Sequence, residues 1–140
     1  HYSGLMLARR LREAAADGSE DARTGATELL EEAWASELEG HFADEELLVG
    51  PLVSEHDRVR LSEEHHALER RIAMARQSET APSPAWLNEL ADLLEAHIRW
   101  EDRELFPEAP RRGGGALAGL HAEAERIHRD RPGARRRHDR

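Results

Sequence analysis

The sequence predicts an all-α protein, an up-down-up-down four-helix bundle with a short additional C-terminal helix. Three observations carry this. Ala, Leu, Glu and Arg, all strong helix formers, dominate the 140 residues, whereas Val, Ile, Thr and aromatic residues are few and period-two alternation never persists. Breaks at Asp17-Gly18-Ser19, Gly50-Pro51, Ser78 to Pro84, Pro107 to Pro110 and Gly113-Gly114-Gly115 leave four long segments and one short one. Short connections between long amphipathic helices favour antiparallel neighbours.

The first helix runs from the start to about Ala16, with an apolar stripe through Leu5, Ala8, Leu11 and Ala15. The second covers roughly Ala22 to Val49 and carries Leu30, Trp34, Leu38 and Leu48. The third spans about Ser54 to Gln77, with Leu61, Leu68, Ile72 and Ala75 on one face. The fourth starts near Ser83, an N-cap followed by Pro84 at the first helical position, and carries Leu87, Leu90, Leu94 and Leu105. A fifth helix, about Ala116 to Arg129, is expected to pack on the outside. Residues 1–130 then form one domain, and RPGARRRHDR, residues 131–140, an Arg-rich flexible tail after a Pro-Gly break.

Composition narrows the chemistry. At this length a single domain with a modest core is expected. No run approaches the ~18 to 20 apolar residues of a membrane-spanning helix, and no secretory signal is present, so a cytoplasmic protein without a membrane role is expected. With no cysteine there are no disulfides, thiol nucleophiles, thiolate zinc sites or Cys-ligated iron–sulfur clusters. All 20 basic residues are Arg, which removes Schiff-base chemistry and the P-loop lysine. The net charge of -9 disfavours nucleic acid as a partner, the Arg-rich tail being the one local exception. Nine His and 29 Asp plus Glu remain as acid–base groups and as nitrogen and oxygen metal ligands.

Ionisable residues interrupt the apolar stripes. In the second helix Leu30, Trp34, Leu38 continues as His41, Glu45, Leu48. The third reads Leu61, His65, Leu68, Ile72, with Glu69 four residues after the His, and the fourth reads Leu90, Leu94, His97, Glu101, Leu105. His1 is in line with Leu5 and Ala8. Spacing four puts both members of His41/Glu45, His65/Glu69 and His97/Glu101 on one helical face, with Cβ atoms about 5 to 6 Å apart, so nitrogen and oxygen can converge on one ion or on adjacent ions. In an antiparallel bundle His41, His65 and His97 each lie about two turns, on the order of 12 Å, from one common end, and form one layer. By the same geometry helix or natural chain is expected upstream of residue 1.

Taken singly, each pair reads as a satisfied core histidine beside a helix ion pair. Taken together they read as a metal site, because ionisable groups buried at one depth are costly unless paired or metal-bound, and no Lys and no inward Arg offsets them. His56, His66, His121, His128 and His138 read as solvated, and Trp34, Trp86 and Trp100 as packing residues. A ferritin-like arrangement would need Glu-x-x-His on two inner faces. Here Glu63-x-x-His66 is off the inner face and Glu125-x-x-His128 belongs to the short helix, a poor match.

With those residues in view, the chain resembles the hemerythrin-like (HHE cation-binding) family over residues 1 to about 108. The segments that carry the resemblance are HYSGLMLARRLREAA, HFADEELL, EEHHALERRI and HIRWEDRELFP. The resemblance implies a non-haem di-iron centre bridged by carboxylates and an oxo or hydroxo group. It implies His1, His41, His65 and His97 as imidazole ligands and Glu45 and Glu101 as bridging carboxylates. Two departures from the oxygen carriers stand out. Their H-x-x-x-H on the third helix is His65-x-x-x-Glu69 here, bringing a third carboxylate, and their H-x-x-x-x-D on the fourth offers both Glu101 and Asp102, of which Glu101 lies better on the stripe. Extra carboxylate favours the ferric state and weakens reversible O2 carriage.

The expected function is binding of, or reaction with, O2 or a related small oxidant such as peroxide or nitric oxide, in sensing, redox chemistry or iron handling. Peroxide decomposition or oxidase activity would use the same ligands. The alternative is a non-redox helical interaction or regulatory module holding Zn, Mn or no metal; His and carboxylate suit those ions too, and iron rests on the resemblance.

Overall fold

The computed structural model describes residues 2–108, and there every element is helical. His1, the fifth helix expected over 116–129 and the tail at 131–140 lie outside the described residues. The elements are α1 (Tyr2–Asp17), α2 (Glu20–Ala33), a π-helical turn (Trp34–Leu38), α3 (Glu39–Leu48), a 3-10 turn (Gly50–Leu52), α4 (Glu55–Gln77), α5 (Pro84–Trp100) and a second π-helical turn (Glu101–Leu105). Because α2, the first π turn and α3 run on without a break, they make four helices in all among the described residues, as in a helical bundle. No helix among the described residues is long and apolar enough to cross a membrane.

Local chemistry sets the boundaries. Gly18 closes α1 in the left-handed region (φ 75°), its N–H donating to the Ala14 carbonyl at 3.0 Å. Ser19 then caps α2 through an Ala22 N–H bond to its Oγ at 3.1 Å, so this helix starts at Glu20 rather than at Ala22, with Glu20 and Asp21 favourably placed in its first turn. Ser54 caps α4, accepting from the Asp57 N–H at 3.1 Å. Its own N–H donates to Glu108 Oε1 at 2.9 Å. Ser83 caps α5, accepting from the Trp86 N–H at 3.1 Å, with Pro84 as the first helical residue.

The chain forms two compact units. The first comprises, among the described residues, 2–33 and 66–100. In it α1 packs chiefly along α5 and also on α2, and Leu11, Leu30, Leu87 and Leu90 are fully buried. The expected stripe on α1 needs one correction: Leu5 is 40% exposed, and the buried line runs through Gly4, Leu7, Ala8, Leu11 and Ala15. A Cβ at Gly4 would meet Ile98 Cδ1, the tip of a side chain on α5, so a larger residue there would require Ile98 to shift. Arg12 on α1 forks to Asp92 (2.9 Å) and Glu95 (2.7 Å) on α5.

The second unit comprises, among the described residues, 34–65 and 101–108. Its core holds Trp34, Leu38, Phe42, Val49, Val53, Leu61 and Leu105. Leu48, expected on the inner stripe, is only partly buried, and Val49 takes the buried place.

Candidate metal centre

Five ionisable residues are buried among the described residues: Asp44, Glu45, His65, His97 and Glu101. No arginine is buried with them among the described residues. On α3 the run His41, Phe42, Asp44, Glu45 turns the carboxylate of Glu45 inward (5% exposed), while the His41 side chain keeps 33% of its surface. On α4 the buried line Leu61, His65, Leu68, Ile72, Ala75 alternates steps of four and three, the rhythm of a 3.6-residue turn. His97 lies in the last turn of α5, and Glu101 opens the π turn that follows it.

Glu45, His65, His97 and Glu101 each offer one nitrogen or oxygen, and those atoms all lie within 4.8 Å of one another. Ligands about 2.0–2.2 Å from one ion are at most about 4.4 Å apart, so the set spans scarcely more than a single coordination shell. The contacts inside the second unit agree with a donor cluster. His65 Nε2 is 3.3 Å and His41 Nε2 3.5 Å from Glu45 Oε1. Among the described residues neither oxygen of Glu45 accepts a hydrogen bond, although both are shut away from solvent. A buried carboxylate in that state is costly unless a cation neutralises it. The donor set is two imidazoles and two carboxylates, hard and borderline ligands that fit a divalent or trivalent first-row metal.

Of the other expected ligands, His1 lies outside the described residues. His41 stands beside the cluster. Glu69 is exposed, because it follows Leu68 on α4 and so points about 100° away from that buried residue, off the line through His65 and Ile72. Asp102 is likewise exposed, next to buried Glu101. His56 and His66 are exposed as expected, and Trp34 and Trp100 are buried.

Three neighbours of the centre carry no mark in a stripe analysis. Asp44 is buried, three residues after His41 and so on the same broad face. Phe42 stacks flat on the His65 ring, centroids 4.0 Å apart at an interplanar angle of 5°. Glu46 Oε2 lies 3.1 Å from His65 Nδ1. The last two are contacts between separate helices, which spacing along one helix does not reveal.

Comparison with curated proteins returned no match, and comparison with solved structures returned none. A family model of the hemerythrin HHE cation binding domain matches residues 5–109, three quarters of the chain, and covers every member of the buried cluster. The chain belongs to the hemerythrin HHE cation-binding family.

Proposed function

We propose that this is a non-haem di-iron protein whose centre binds, or reacts with, O2 or a related small oxidant such as peroxide or nitric oxide, in sensing, redox chemistry or iron handling. The observation that carries the reading is the buried Glu45–His65–His97–Glu101 cluster in an HHE-family chain. In this reading the four helices run up-down-up-down, and the iron would be held by the carboxylates of Glu45 and Glu101 and the imidazoles of His65 and His97, with His41 and His1 as further imidazole donors. Glu69, being exposed, has no part in it.

When bound there, iron would supply the electrons for reaction with the oxidant. The protein's own part is to hold the donors and keep water away. Phe42 covers one face of His65, Trp34 meets Phe42 edge-on at 5.9 Å and 68°, and Trp100 lies 6.0 Å from His97. These rings give the imidazoles an apolar surround in which charge–ligand interactions are strong.

Anaerobic loading of metal-free protein with ferrous iron, followed by exposure to air, tests the reading. Two irons per chain and an oxo-to-iron charge-transfer absorption in air are expected, both lost in His97→Ala. Uptake far below two irons, with no such absorption, overturns it. Zinc or manganese alone in protein from its native host would favour a non-redox role for the same cluster.

A further inference from the structure

The ring of His65 is held from three sides within the second unit. Its Nε2 faces Glu45, its Nδ1 faces Glu46, and Phe42 lies flat against it. Glu45 and Glu46 are consecutive on α3, so one helix addresses both nitrogens of an imidazole on α4. The contact to Glu46, 3.1 Å from Oε2 to Nδ1, has hydrogen-bond geometry. A carboxylate can only accept, so the proton of that bond belongs to Nδ1, and the lone pair of a neutral ring is then on Nε2, the side of the buried cluster. Trp34 against Phe42, and Phe42 against the ring, fix the plane in which this happens.

We propose that Glu46 is a positioning residue: it selects the Nδ1–H tautomer of His65 and presents Nε2 to the metal of the proposed centre. The assignment to a metal rests on the function proposed above; the tautomer does not. Glu46 does not itself reach the cluster. Its side chain is 39% exposed, and its part is to orient the ring from the side away from the cluster. Carboxylate partners of this kind are worth about 10- to 100-fold in metal affinity. Glu46→Ala removes the acceptor, and Glu46→Gln keeps an acceptor while removing the charge.

Two measurements test this on the full chain. The first is long-range 15N–1H NMR of the histidine rings in metal-free protein, at a pH where His65 is neutral. Wild type and Glu46→Gln are expected as the Nδ1–H tautomer, and Glu46→Ala is expected to shift toward Nε2–H. The second is titration with Co2+, read by its visible ligand-field bands. Glu46→Ala is expected to bind about 10- to 100-fold more weakly than wild type, with altered bands, and Glu46→Gln to fall between. An Nε2–H ring in the wild type, or a tautomer and Co2+ affinity unchanged in Glu46→Ala, overturns the proposal. An Nδ1–H ring that responds to Glu46→Ala, in a protein that takes up no Co2+, upholds the role of Glu46 on the ring and overturns the metal reading instead.

Discussion

Glu45 stands under two opposed demands. As the ligand proposed above it would have to be ionised and poor in competing hydrogen bonds; as a core residue it pays for both conditions in desolvation. The variant Glu45→Gln separates them. At a pH where His41 and His65 are neutral, metal-free Glu45→Gln is expected to be more stable than wild type by about 1 kcal/mol, while its metal affinity falls at least tenfold. Urea denaturation of the metal-free proteins and metal titration check the two signs; a variant less stable without metal would show that Glu45 has a structural role. At this scale the centre was legible where a polar residue replaced an apolar one on a single stripe, as His65, His97 and Glu101 do. Glu69 misled because a step of four from His65 passes the Ile72 line, and Glu46 was invisible because its partner is on another helix.

At the scale of elements, boundaries were the readable part. Ser83-Pro84 announces α5 by chemistry that needs no tertiary context, and Ser83→Ala is expected to cost about 1 kcal/mol in urea denaturation, with Ser83→Asn largely sparing it. Both π turns went unread because stripe analysis assumes one period throughout. Their trace is present all the same: Leu30, Trp34, Leu38 and His97, Glu101, Leu105 are runs of consecutive fours, which drift about 40° per step on a 3.6-residue helix. A turn closed by i→i+5 bonds absorbs that drift, and such turns gather at functional sites. Here one precedes the helix carrying Glu45, and the other contains Glu101.

For the molecule as a whole, helix content and acidic character follow from composition, whereas the division into two units, which cuts through α4 between His65 and His66, follows from contacts no local pattern encodes. Within the first unit, Arg99 and then Arg12 hold the Glu95 carboxyl below its ordinary range by donating hydrogen bonds to it. A depressed carboxyl stabilises the fold above its unfolded-state value, and that contribution is lost as the pH falls through the folded-state value. Arg12→Met is therefore expected to be less stable than wild type at pH 7. The gap should narrow on acidification below the carboxylate range and also shrink at high salt. Denaturation midpoints across pH would show it; a gap constant with pH would assign the effect of Arg12 to packing alone.

The wide turns carry a further consequence, for chain length. Removing one residue from such a turn restores ordinary i→i+4 bonding and leaves both flanks facing as before, so each is a store of slack. Deleting Ala35, which is exposed, converts the buried series Leu30, Trp34, Leu38, Phe42, Glu45 into regular steps of four and three. The shortened protein is expected to fold and to take up Co2+ with an affinity close to that of the full-length chain. Helix α4 has no such reserve: losing Arg70, also exposed, would swing everything on one side of the gap by about 100° relative to the other and cost the fold its core.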